Sequence, residues 1–295
     1  MKRMTPTFTL KKLVLALAIA GYTMSSAYAV LTNPTGSIQG TAPVLSAPSN
    51  SGTPHTVDFT TSAQGPTLAT GDTITLTYNY NDADGDQDNS ASTTHTQWYY
   101  VTPSGDVAIA ASNIINTLAA TASDGTGTSV LTIPAAAIGA SAIKVVINEY
   151  SASGAPISGQ EILVADTNIG GGGSTTPPGP IAPGSNVVPG IYLSTDATFA
   201  NNLIGTDTKL DVGSAYVFKL WDDAAHTTDL TSSVTYNWRL VGTSATDGKA
   251  APAAGFVTSV TDANFTVPAN STADGTALTG SADGAQGFNL AVDYN

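Results

Sequence analysis

The sequence has no cysteine in its 295 residues. Disulfide staples, zinc clusters built on thiolates and lipid attachment through an N-terminal cysteine are therefore all excluded. Basic side chains are scarce as well: nine Lys and Arg stand against 22 Asp and Glu, a net charge of −13. So few cations cannot neutralise a nucleic-acid backbone or hold an anionic membrane surface. Histidine occurs three times, at His55, His95 and His226, with no H-E-x-x-H pair among them. Glutamate occurs only at Glu149 and Glu161, and no G-x-S-x-G elbow is present. Ser141-Ala-Ile-Lys144 matches S-x-x-K in form only, because it falls on an expected strand with no companion motif. These absences argue against an enzyme, although a pair of acidic catalysts could still hide among the aspartates.

Long apolar runs are missing too, apart from LVLALAIAGYTM near the start. That run follows MKRMTPTFTLKK and precedes SSAYA, the order of a Sec signal peptide over residues 1–29, cleaved after Ala29. It is too short to span a bilayer, so the mature chain of about 266 residues is expected to carry no membrane span. Lys2, Arg3, Lys11 and Lys12 leave with the leader, so five basic residues face the 22 acidic ones, a net of −17. Such a charge keeps an exported protein soluble. The expected route is export to the periplasm, then release or retention at the cell surface.

What is present is β-patterned. Short alternating runs of Val, Ile, Tyr and Thr recur, and long helical periodicity does not. After an extension over residues 30–40, a first domain is expected over 41–166, with strands near 42–47, 73–80, 94–101, 106–110, 128–133, 142–150 and 159–166. Pro134-AAAIGA reads as a short helical turn crossing between sheets. The segment TNIGGGGSTTPPGPIAPGS (167–185) reads as a flexible Gly/Pro linker, and a second domain fills 186–295.

The two halves look like copies. Tyr78, Asp82 and Trp98 match Phe218, Asp222 and Trp238 at a constant offset of 140. Leu131-Thr-Ile-Pro134 mirrors Phe265-Thr-Val-Pro268, and Leu163-VADTN is set against Leu290-AVDYN. With that last match the second copy keeps its final strand, so completion by a partner's strand is not needed. Seven strands around one inward Trp per copy describe an immunoglobulin-like β-sandwich without its disulfide. The expected fold is all-β: two tandem immunoglobulin-like sandwiches joined by the linker.

The stretch TITLTYNYNDADGDQDNSASTTHTQWYY (73–100) resembles the strand, DADGD loop and QWY element of bacterial Ig-like domains in surface adhesins. The whole mature chain is similar to small autotransporter-associated exoproteins of the Sin/Zir type. That resemblance implies a non-enzymatic, adhesion-related exoprotein working with an outer-membrane barrel of the intimin/invasin kind, and with a host or surface protein as a further partner. A carbohydrate-binding adhesin module is the alternative.

Two candidate sites follow. Asp82, Asp84, Asp86 and Asp88 supply four carboxylates in seven residues, a candidate calcium site. The spacing is not that of an EF-hand, since Gln87 stands where Gly is required and Thr93 where Glu is. In the second copy Asp84, Asp86 and Asp88 align with Ala224, His226 and Thr228, so the fold does not require them. The competing reading is a solvated turn. The second candidate is an outward patch of Tyr99, Val146 and Tyr150, since exposed aromatics anchor interfaces at low entropic cost.

Overall fold

The computed structural model describes residues 31–269 and 277–295; the expected leader lies outside the described residues. Residues 39–295 form one compact unit, to which residues 31–38 do not belong. The latter are exposed coil, Leu31 and Ile38 included.

The body is all-β. Its strands are β1 (Val44–Ser46), β2 (Asp58–Thr61), β3 (Thr73–Asn81), β4 (Thr96–Thr102), β5 (Gly105–Ala108), β6 (Ile114–Thr117), β7 (Gly125–Thr132), β8 (Ala142–Tyr150) and β9 (Ser158–Val164). Then come β10 (Val188–Leu193), β11 (Ala215–Trp221), β12 (Tyr236–Gly242), β13 (Phe256–Thr261), β14 (Phe265–Thr266) and β15 (Phe288–Tyr294). Every strand pair is antiparallel. One sheet runs β1-β3-β7-β6 with β2 also on β3, and a second runs β5-β4-β8-β9. The remaining two are β10-β11-β14 and β13-β12-β15.

Period-two patterning produces the layers. Along β3 every second residue is buried, and Ile74, Leu76, Tyr78 and Tyr80 share the inward face. Opposite them stand Trp98, Ile143, Val145, Ile147, Ile162 and Val164 from the β4-β8-β9 sheet. Trp98 is fully buried and meets Phe59 edge to face at 6.3 Å. Its indole N–H donates to Ser129 Oγ on β7 at 2.8 Å, which joins the two layers and satisfies the one polar atom the indole brings inside. Trp238 is equally buried in a second, sandwich-like core, where its N–H donates to the Ala263 carbonyl at 2.7 Å. Gly127 faces Tyr78 in register, and any Cβ there would overlap the phenol ring; the glycine makes room for the large side chain on β3.

Three expectations need correction. β2 and β6 were not foreseen; each is four residues long, and β2 opens on Asp58. The 167–185 segment, expected as a hinge, is instead bonded onto the first sandwich. Gly172 N–H donates to Val57 O at 2.6 Å, Thr70 N–H to Ala182 O at 2.9 Å, and Ile181 exchanges bonds with Gly139 and Ala140 at 2.8 and 2.9 Å. Ile181 belongs to the first core. The physical reason lies in the glycines themselves: Cβ atoms at Gly171, Gly172 and Gly173 would overlap Ser174, Ala47 and Ser49. The bare backbone lies flat on the sandwich where no side chain would fit. The two halves also touch, because Ala135 and Ile138, in and beside the short 3₁₀ turn after β7, pack in the second core beside Val187 and Ile191.

The third correction concerns the second copy's last strand. β12 is the counterpart of β4, and β15 pairs with β12 from Tyr236↔Tyr294 to Gly242↔Phe288. In the first copy the strand paired with β4 in this way is β8, not β9. β15 therefore corresponds to β8, and LAVDYN does not match LVADTN in space. Among the described residues no strand takes β9's place beside β15. The two segments share an Asp-x-Asn ending but not a place in the sheet.

Candidate metal centre and outer face

The acidic loop leaves β3 at Asn81 and returns toward β4, at the end of the sandwich where the described body begins. Asp82 is 6% exposed. Its Oδ1 accepts the Asp84 and Asp86 amides at 2.9 and 3.3 Å, which folds the turn around the carboxylate. Its Oδ2 is buried without a hydrogen-bond partner among the described residues. Asp84 Oδ2 accepts the Thr41 amide. Asp86 Oδ1 accepts Ser153 Oγ at 2.5 Å, from the β8–β9 hairpin. Gly40 and Gly154 press on Asp84 and Asp86 so closely that a Cβ at either would overlap the carboxylate.

One oxygen from each of Asp82, Asp84 and Asp86 lies within 4.8 Å of the others. At that separation two unit charges repel by about 1 kcal/mol in water and about 3.5 kcal/mol at an effective dielectric near 20. Among the described residues no cation offsets them, since the ion pairs are His55–Glu149, Lys144–Asp106, Lys219–Asp229 and Arg239–Asp293. Burial, followed by the charges of Asp82, Asp88 and Asp86, holds the neighbouring Tyr80 phenol well above its ordinary value. Its hydroxyl donates to the Asp86 carbonyl at 3.1 Å.

Asp88 does not join the group. The chain has by then turned back toward the sandwich, with Asp88 bridged to Ser151 and 3% exposed. Its carboxylate accepts Tyr78 Oη at 2.5 Å and the amides of Ser90 and Ala119, each at 2.8 Å. Burial, then the charge and bond of Asp88, keeps Tyr78 protonated far above the usual phenol range. Asp88 therefore works as a core carboxylate, and the expected set of four becomes a set of three.

The corresponding loop of the second copy closes without such a cluster. Asp222 Oδ1 accepts the Thr228 amide at 2.7 Å, and Asp223 Oδ1 accepts those of Ala225 and Thr227 at 3.0 and 3.1 Å. His226 stacks on Trp221 at 4.6 Å, and Trp221 donates to Tyr192 Oη at 3.1 Å. Trp221, Tyr192 and half-buried Phe199 and His226 form an aromatic group that sequence reasoning missed, because the four come from separate strands and loops that no alternation pattern connects.

Tyr99, Val146 and Tyr150 all lie on the outer face of the β4-β8-β9 sheet, each half-buried. They do not form one patch. Tyr99 pairs with Lys144, six residues from Tyr150, a distance of about 20 Å along a strand. Lys144 covers the Tyr99 ring at 5.2 Å while pairing with Asp106 at 2.6 Å. Tyr150 stacks on His95 at 3.6 Å, and burial holds the His95 imidazole below its ordinary value. Val146 lies beside exposed Leu163, a neighbour the sequence reading did not include. Glu149 was likewise not singled out for its work. It is buried and accepts Leu45 N–H at 2.9 Å, His55 Nδ1–H at 2.8 Å and Gln160 N–H at 2.8 Å, binding β1 and β9 to β8.

The geometry defines an all-β, sandwich-like protein whose buried carboxylates mostly serve backbone amides. No family model matches the sequence, and no curated protein is detectably similar to it.

Proposed function

We propose that the chain is a non-enzymatic, protein-binding exoprotein of two immunoglobulin-like sandwiches, exported through the Sec route, whose second sandwich takes up an extended strand from its partner along β15. The partner implied by the sequence resemblance is an outer-membrane barrel protein of the intimin/invasin type. The observation that supports this most is the comparison of the two copies. In the first, β9 covers β8 and buries Ile162 and Val164, and Ile143, Val145 and Ile147 are fully buried beneath the sheet. In the second, Phe288, Leu290, Val292 and Tyr294 point the same way but are only half-buried.

The backbone agrees. Thr235 and Asn295 exchange both of their hydrogen bonds, at 3.1 and 3.0 Å. Alternation along an antiparallel ladder then turns Asp293, Ala291 and Asn289 toward β12, and the N–H and C=O groups of Tyr294, Val292 and Leu290 away from it. An incoming strand with apolar residues at alternate positions would meet those groups as β9 meets β8. Main-chain bonds would give affinity and the inward side chains register. Exposed edges of this kind otherwise invite aggregation.

The test is cross-linking and co-purification of the mature chain from cells that make the barrel. A Val292→Pro variant removes one outward N–H while leaving the β12 bonds in place. The proposal expects capture by the native chain and loss in that variant, with Tyr99→Ser retaining capture. A chain that never co-purifies with the barrel, or a Val292→Pro variant that binds as well as native, would overturn it. The carbohydrate-binding reading draws on half-exposed Phe199 and His226 beside Trp221, and a glycan array on the mature chain tests it.

A further inference from the structure

We propose that Asp82, Asp84 and Asp86 bind one divalent cation, calcium, at the entry pole of the first sandwich. Independently of any partner, three observations meet there. The carboxylates converge within 4.8 Å, a spread that a cation taking oxygen ligands at about 2.3–2.6 Å can bridge. Among the described residues each carboxylate has one oxygen engaged by a protein donor: Asp82 by two loop amides, Asp84 by Thr41 and Asp86 by Ser153. The other oxygen of each is left over, and that of Asp82 is buried without a hydrogen-bond partner among the described residues, the neighbouring Tyr80 hydroxyl being turned to the Asp86 carbonyl. A carboxylate oxygen placed out of water beside two further carboxylates needs a positive partner, and among the described residues no ion pair provides one.

The internal duplicate shows that the turn does not require this cluster. Where Asp84 and Asp86 stand, the second copy has Ala224 and His226, and its loop closes through amide bonds to Asp222 and Asp223. The extra carboxylates of the first copy are therefore available for a ligand. The donors on Asp84 and Asp86 come from either side of the loop, Thr41 before β1 and Ser153 between β8 and β9, so a bound cation ties three separate segments together. Oxygen-only ligands favour a hard cation. Three carboxylates, with water completing the shell, place the affinity in the extracellular range, roughly 0.1–1 mM.

The mature chain should be melted in EDTA, in 10 mM CaCl2 and in 10 mM MgCl2. Calcium is expected to raise the Tm by roughly 3–10 °C. Asp84→Asn, at an exposed position, and Asp86→Asn, at a half-buried one, both spare the buried Asp82 and should fold and lose most of that shift, singly and as a double variant. An unchanged Tm in calcium, or the full shift retained in the double variant, would overturn the site. An equal shift with magnesium would overturn the assignment to calcium.

Discussion

Replacing Asp88 with alanine separates a core carboxylate from a metal ligand. The side chain accepts three hydrogen bonds, from Tyr78 Oη and the amides of Ser90 and Ala119. Each buried donor left without an acceptor costs about 1–3 kcal/mol. Because the three share one group, the losses do not add in full, and about 3–5 kcal/mol is reasonable. Removing a buried charge also relieves its desolvation, leaving a net loss of about 2–4 kcal/mol. For a cooperative unit of this size that lowers the Tm by roughly 4–16 °C. The assay is thermal unfolding of the mature chain followed by circular dichroism, in EDTA and in 10 mM calcium. The drop should be the same in both. If Asp88 were instead a fourth ligand, the variant would melt like native in EDTA and fall behind only in calcium, and that result would refute the reasoning.

Two further outcomes follow from the same geometry. The Asn201 amide, Thr198 and their bonds hold Asp196 at about 2. Asp223 and Asp283 are held below the ordinary 3.8 by Thr227 and Thr246, and Asp58 by its Ser49 and Ser174 bonds, which outweigh the upward push of burial. Folded-state values below unfolded ones mean that the unfolded chain takes up protons first. The stability is then present above about pH 4 and lost as the pH falls toward 2, which a Tm series from pH 6 to pH 2 checks. In the bonded segment 167–185, Gly172→Val drives a side chain into Ala47 and should lift the segment off the first sandwich. Limited proteolysis with thermolysin should then nick between 167 and 185 at least several-fold faster than in the native chain; equal rates would show that the segment is not held there.

Much of the first sandwich was legible, because alternation over β3, β4 and β8 is strong and each strand runs seven residues or more. β2 and β6 were not, since four residues carry too few alternations to stand out and β2 begins on a carboxylate. The acidic loop was visible as a cluster, yet side-chain direction inside a turn follows no simple period. Nothing in NYNDADGDQDN tells that Asp88 turns inward to Tyr78 while Asp82, Asp84 and Asp86 gather outside. Gly and Pro over 167–185 were read as flexibility. The same residues equally suit a backbone lying against a surface without side chains between, and only the atoms beneath them distinguish the two. The identity of the last strand was hidden for a different reason. LVADTN and LAVDYN agree in type and ending, but pairing partners, not composition, define a strand's place in a sheet.

The account depends most on β15 standing, among the described residues, at an edge that β9 covers in the first copy. Amide hydrogen exchange of the mature chain, resolved by residue, measures this directly. The amides of Leu290, Val292 and Tyr294 should exchange orders of magnitude faster than those of Asn289, Ala291 and Asp293, while β8 from Val145 to Asn148 is protected throughout. Equal protection of both sets along β15 would contradict the account, because it would mean that the edge is already filled.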